Sequence, residues 1–153
     1  MADDLDELAG LLRERGLRVT ASRVAVLHEI RAMHGHPDAE AVRTAVARRL
    51  GSVSTQAVYD ILHTLTKAGL LRSIEPARHP ARYETRVGDN HHHLVCRSCG
   101  TITDVDCAVG QAPCLTPSDP AGSLDGFVVD QAEVVYWGLC PDCSPQQTPR
   151  SHP

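Results

Sequence analysis

Two CxxC pairs constrain this chain more than any other feature. They are Cys96-Arg97-Ser98-Cys99, followed by Gly100, and Cys140-Pro141-Asp142-Cys143, with 40 residues between them. A CxxC turn presents two thiolates to one ion. Two such turns complete the tetrahedral all-sulfur set that Zn²⁺ accepts at about 2.3 Å. The separation exceeds that of a compact zinc ribbon, but closure entropy grows only slowly with loop length. The rival reading is a thioredoxin-like redox pair, which needs its CxxC at a helix N-terminus that lowers the thiol pKa. Cys143 leads instead into a Pro-rich tail with no helix behind it. Structural zinc at Cys96, Cys99, Cys140 and Cys143 is therefore the expectation.

Six cysteines in a cytosolic chain read first as metal ligands or redox thiols, and only second as structural disulfides. The amino terminus, Met1-Ala2-Asp3-Asp4, is acidic where a secretory signal is basic and then apolar. No apolar run approaches the roughly 20 residues of a membrane span. A cytoplasmic protein without a membrane partner is expected. One Trp, one Phe and three Tyr leave any core to Leu, Val, Ile and Ala.

The net charge of -4 hides an asymmetry. From Leu8 to Val87 there are 13 Arg and Lys against 7 Asp and Glu. From His91 onward there are 2 against 7. A basic half beside an acidic, cysteine-bearing half suggests two domains, with polyanion contact assigned to the first.

Apolar periodicity divides the basic half into helices. Leu5, Leu8, Leu11 and Leu12 recur at helical spacing before Gly16. Thr20 caps a second helix through Val24, Leu27, Ile30 and Met33, stopped by Gly35. Pro37 is expected to open a third, with Ala41, Val42, Ala45, Val46 and Leu50 inward and Gly51 closing it. Ser54 caps a fourth, with Val58, Ile61, Leu62 and Leu65 inward, ended by Gly69. Two extended runs, 70–74 and 81–84, flank a loop at 76–80. Helices followed by a two-stranded hairpin outline a winged helix-turn-helix.

Beyond Gly88 the period changes. Strands are expected at 92–96, 101–105, 127–129 and 134–137, with mostly loop from Cys107 to Gly126. The overall class is α+β: a winged helix-turn-helix domain over 1–86, a hinge at 87–90, and a small α/β dimerisation domain over 91–143 with the four-cysteine zinc site. A disordered polar tail over 144–153 completes the division.

His91-His92-His93 lies just before Cys96. On a strand His91 and His93 share a face and His92 points away. A hairpin turning at Cys96–Cys99 places Asp104 opposite His93, with Glu84 a short hinge away. His91, His93, Asp104 and Glu84 offer nitrogen and oxygen without sulfur. Such a set suits Fe²⁺, Mn²⁺ or Ni²⁺, and admits Zn²⁺. An accidental histidine run on a solvated edge is the bland alternative.

From about Leu8 to Cys143 the chain resembles the ferric uptake regulator (Fur) family. The matching residues are Gly16-Leu17-Arg18-Val19-Thr20 with Arg23, His36-Pro37, Val53-Ser54 with Val58-Tyr59, Tyr83-Glu84, the His91 and His93 pair, and both CxxC pairs in order. Within the family it is most similar to the actinobacterial, catalase-linked FurA/CatR branch. The resemblance implies a metal-dependent transcriptional repressor, not an enzyme, that binds a double-stranded and palindromic operator as a homodimer. It implies a recognition helix from Ser54 to Ala68, with Ser54, Thr55, Gln56 and Tyr59 towards DNA and Arg18 and Arg23 at phosphates. It further implies a regulatory Fe²⁺ or Mn²⁺ site of His36, Glu84, His91, His93 and Asp104 bridging the two domains, besides the structural Zn²⁺.

The departures from the family pattern carry information too. Asn90, Gln111 and Ala132 stand where many members place ligands of an additional metal site, which is expected to be absent or crippled. A Pro-rich stretch replaces the usual long helix of the dimerisation domain. Cys107 and Cys114 are extra, with redox thiols as the functional reading and small apolar fillers as the plain one. Asp104 and Asp106 argue against a lowered thiol pKa at Cys107. Asp104 resembles peroxide-sensing members, so the expected targets are oxidative-stress (catalase-peroxidase) or iron-homeostasis genes, with release by peroxide or loss of the regulatory metal. A nickel- or zinc-responsive repressor of the same family is the alternative. A zinc-containing metallohydrolase is disfavoured, since five protein ligands leave little room for an open catalytic position. A structural zinc module binding a protein partner does not account for the basic half.

Overall fold

The computed structural model describes residues 2–33, 35–111, 114–115, 127–129 and 132–144. The chain divides into two compact units, residues 1–87 and 88–153. No helix among the described residues is long and apolar enough to cross a membrane.

The first unit contains α1 (Ala2–Glu14), α2 (Ala21–Ala32), α3 (Ala39–Leu50), α4 (Thr55–Lys67), β1 (Arg72–Ile74) and β2 (Arg82–Glu84). The side chains of Thr20, Asp38 and Ser54 accept the backbone N–H of Arg23, Ala41 and Ala57, capping α2, α3 and α4. Each such cap contributes about 1 kcal/mol. At α3 the cap is Asp38, and the helix begins one residue later, rather than opening on Pro37. The reason lies in the wing: the Pro37 carbonyl accepts the Tyr83 N–H at 3.0 Å, and Asp38 forms a β-bridge with Arg82. Residues 37–38 therefore serve as a sheet edge before the helix starts. Ala41 and Leu50, expected to face inward, are exposed, because the buried stripe of α3 runs through Ala39, Val42, Ala45 and Val46.

Leu8, Leu12, Val26, Leu27, Val42, Val46, Val58, Leu62 and Leu65 bury the apolar stripes of all four helices in one core. After α4 the chain turns at Gly69, whose φ of 68° suits glycine. The N–H groups of Leu70 and Leu71 then close on the Leu65 carbonyl. Arg15 donates to the Ala68 carbonyl at 2.7 Å, tying the end of α1 to the end of α4. The wing is antiparallel, with Arg72 opposite Glu84 and Ser73 opposite Tyr83.

The second unit is a three-stranded sheet in the order β4-β3-β5, formed by β3 (His91–Cys96), β4 (Ile102–Asp106) and β5 (Val135–Gly138). β3 and β4 pair antiparallel and place His93 opposite Asp104, as the hairpin geometry predicts. β5 pairs parallel to β3, with Cys96 beside Gly138. The strand expected at Phe127–Val129 does not form. Those residues carry no regular structure, and Phe127 and Val128 are 78% and 90% exposed. Strand propensity expresses packing on a half-buried sheet face, and these exposed side chains have none. Residues 107–111 and 114–115 have neither helix nor strand, in line with the expected loop. The rest of 107–126 and the tail from 145 lie outside the described residues.

The core assignment predicts a contrast between two leucines. Leu62→Ala should destabilise the first unit by about 2–5 kcal/mol in urea denaturation, because Leu62 is fully buried. Leu50→Ala, at an exposed position, should stay within about 0.5 kcal/mol of the parent.

Candidate metal centres and nucleic-acid interface

The sheet of the second unit brings the two CxxC turns together. Cys96 ends β3, and the Gly100 N–H returns to its carbonyl at 2.9 Å with Gly100 at a φ of 74°. Parallel pairing runs on past the strand, where the Arg97 N–H donates to the Gly138 carbonyl at 2.9 Å. The second turn follows, closed by the Cys143 and Ser144 N–H groups on the Cys140 carbonyl. The sulfurs of Cys96, Cys99, Cys140 and Cys143 all lie within 4.8 Å of one another, and those of Cys99 and Cys140 are 3.7 Å apart. Zn–S bonds of about 2.3 Å in a tetrahedron separate sulfurs by about 3.8 Å. The four thiols fit a zinc ion.

Their electrostatics point the same way. Backbone N–H groups of Cys99 and Cys140 draw the Cys96 thiol down to about 6. At Cys143 a hydrogen bond with Ser98 favours the thiolate, but crowding by Cys140 and Cys99 prevails and pushes it up to about 12. One thiol ionises readily while another resists, and a dication removes the conflict.

The second unit also holds the histidine donors. His91 and His93 share a face, with ring centroids 4.9 Å apart and ring planes at 79°. His93 Nε2 lies 3.7 Å from Asp104 Oδ1. His91 Nδ1 is 2.8 Å from Asp89 Oδ1, a carboxylate–histidine contact that sets ring orientation and basicity in metal sites. Sequence reasoning passed over Asp89; its signal was an acid two positions before a histidine. His92 points the other way. Its Nε2 lies 3.2 Å from the Cys114 sulfur.

Cys107 and Cys114 are thus neighbours of His92, and the expectation for Cys107 needs correction. Burial would raise its thiol, yet backbone N–H groups of Gly110 and Val109, with help from Cys114, hold it below the usual range. These local donors outweigh the acidic neighbours Asp104 and Asp106. Cys114 is raised, first by burial and then by Cys107 beside it.

In the first unit His36 Nε2 and Glu84 Oε2 are 3.1 Å apart, each side chain 5% exposed. The contacts of Pro37 with Tyr83 and of Asp38 with Arg82 place this pair, holding the approach to α3 against β2. Arg82 Nη1 donates to the His36 carbonyl at 3.4 Å, and Arg72 Nε lies 3.9 Å from Glu84.

The outer face of α4 carries Thr55, Gln56, Tyr59, Asp60 and His63, all exposed. Ser54 spends its hydroxyl on the helix cap. The Gln56 amide donates to Asp60 at 2.8 Å, a carboxylate that sequence reasoning also missed. Arg18 is exposed, while the Arg23 guanidinium donates to the Arg18 carbonyl at 2.8 Å.

A model of the ferric uptake regulator family matches residues 14–111. Transcriptional regulator FurA of Mycobacterium bovis is 60% identical over 149 residues, spanning 97% of this chain and 98% of that one. The chain belongs to the ferric uptake regulator family. It is a transcriptional regulator of the FurA branch, not an enzyme. The peroxide-responsive repressor PerR of Staphylococcus aureus is 26% identical over 141 residues, covering 92% of this chain and 91% of that one. Among solved structures, the Fur protein of Helicobacter pylori, described as having three functional metal binding sites, superposes with a TM-score of 0.69 at 19% identity. That match covers 96% of this chain and 95% of the other. The Fur fold, with its winged helix-turn-helix, is the fold of this chain.

Removing one sulfur from the four-cysteine set should remove its metal. Cys143→Ser is expected to purify without the zinc of this site and to show faster proteolysis within residues 88–144, since metal binding is part of folding free energy here. Atomic absorption and limited proteolysis read the two effects. A Cys143→Ser protein as zinc-rich and protease-resistant as the parent would contradict the assignment.

Proposed function

We propose that this Fur-family member is a cytoplasmic, metal-dependent repressor acting as a homodimer on a palindromic operator. Its targets in this reading are oxidative-stress (catalase-peroxidase) or iron-homeostasis genes. Peroxide or loss of the regulatory metal releases it. The carrying observation is a sulfur-free donor set divided between the units: His36 with Glu84 in the first, and His91, His93 and Asp104 in the second. Imidazole and carboxylate together suit Fe²⁺ or Mn²⁺.

In this proposal one ion takes donors from both units and so favours one relation between them. Its binding energy then differs between DNA-competent and incompetent populations, which is what a switch requires. Fe²⁺ held there would supply peroxide reduction beside the ligating imidazoles. The chain's own residues supply the rest: Asp89 orients His91, and the wing contacts hold His36 beside Glu84. Asp104 and the name of the staphylococcal relative support the peroxide arm.

Exposed apolar side chains support the dimer. Leu94, Val109, Leu115, Phe127, Val128, Tyr136 and Leu139 of the second unit are exposed, and such surface is characteristic of an association face. The exposed face of α4 supports operator reading through Thr55, Gln56 and Tyr59, with Arg18 at phosphate.

Operator binding titrated against Fe²⁺ and Mn²⁺, with and without peroxide, tests the switch. His91→Ala should abolish metal-stimulated binding while zinc content and dimer persist. Equal operator affinity for metal-free and metal-loaded parent would end the proposal. Peroxide should release the Fe²⁺-loaded parent and leave added oxygen on His36 or His91 in mass spectra; an unresponsive parent leaves a metal sensor only.

On the DNA side, Arg18→Ala should weaken binding to all sequences and flatten the salt dependence by about one counterion. Tyr59→Ala should instead narrow the gap between operator and random DNA. Equal losses on both DNAs would remove Tyr59 from base reading.

A further inference from the structure

The regulatory reading leaves His92, Cys107 and Cys114 unused, although their ligand atoms lie within 4.8 Å of one another. The strand alternation of β3 directs His92 away from His91 and His93, so this cluster shares no donor with theirs. β4 ends at Asp106, opposite His91. Cys107 follows directly, and Cys114 lies at the same point. Backbone N–H groups of Val109 and Gly110 face the Cys107 sulfur.

We propose that His92, Cys107 and Cys114 form a third metal site, of two thiolates and one imidazole, for a d¹⁰ cation such as Zn²⁺ or Cu⁺. Soft thiolate donors select these ions over the harder Fe²⁺ and Mn²⁺. The geometry is close to what such an ion requires. Zn–S and Zn–N bonds of about 2.3 and 2.0 Å set sulfur and nitrogen about 3.6 Å apart in a tetrahedron, against 3.2 Å between Cys114 and His92.

One further observation favours a ligand role. His92 is only 4% exposed, and a single thiol would satisfy its Nε2 through an S–H···N hydrogen bond. A second thiol in the same sphere exceeds that need. Three protein donors leave the fourth position of a tetrahedron open. The ion held here is therefore exchangeable, unlike one enclosed by four cysteines.

The proposal does not depend on the regulatory switch, whose donors contain no sulfur. Zinc content and Co²⁺ titration of the reduced full-length protein test it. The parent should hold one more zinc per chain than the Cys107→Ser/Cys114→Ser variant, and a mild chelator should remove that excess first. Co²⁺ should fill the site with a thiolate-to-cobalt charge-transfer band, which occupancy of the nitrogen/oxygen donors cannot produce. His92→Asn should keep both thiols but weaken this phase about tenfold or more. Retained zinc at the four-cysteine set serves as the folding control in each variant. Equal zinc content in parent and double variant, or a cobalt band indifferent to both cysteines, would overturn the site. So would a parent that forms a Cys107–Cys114 disulfide under reductant and takes up no extra metal.

Discussion

Four cysteine sulfurs gathered within 4.8 Å repel one another as thiolates, and a cation among them is what lets all four ionise. The described residues of the second unit offer little else of comparable strength. Among its described residues the buried apolar side chains are Val95, Cys96 and Ile102. Burying side chains of this size contributes about 1.5–3 kcal/mol each, whereas a structural zinc of this type contributes about 10–16 kcal/mol. The sheet is therefore held from its Cys96 end. Everything that depends on the position of β3, including the orientation of the three consecutive histidines, inherits that anchor.

The first unit is built on the opposite principle. Its helices share a continuous apolar core, and its termini are capped by side chains rather than by an ion. Arg15 on the Ala68 carbonyl and the Leu65 turn hold the end of α4, which frees the other end to present its outer face. The same rigidity sets His36 beside Glu84, since the segment before α3 is hydrogen-bonded to the strand that carries the glutamate.

Much of this was legible in the sequence because the governing signals are local. Thr20 and Ser54 are caps wherever a helix follows, and a CxxC turn has one compact geometry. The opposition of His93 and Asp104 followed from the position of a short hairpin. What escaped depended on partners distant in the chain. Pro37 has the composition of a helix opener, but its carbonyl is claimed by Tyr83. Phe127-Val128-Val129 has strand composition, but Phe127 and Val128 stay exposed, without the packed face that strand propensity expresses. The lowered thiol of Cys107 comes from the N–H groups of Val109 and Gly110, whose direction depends on a turn that composition does not specify.

The parallel pairing of β3 with β5 has a consequence for how the molecule comes to exist. β3 and β4 are joined by a short turn and can pair as soon as both have been synthesised, within the microseconds typical of hairpins. β5 lies far downstream and pairs in the parallel sense, which requires a long crossover and raises the contact order of this half. During translation Cys96 and Cys99 thus emerge well before Cys140 and Cys143. A nascent chain carries an incomplete chelate for as long as the ribosome takes to add the second turn. Completion of the fold is then paced by metal supply and elongation together, and zinc-starved cells would accumulate chains whose amino-terminal half is folded and whose carboxy-terminal half is open to proteases.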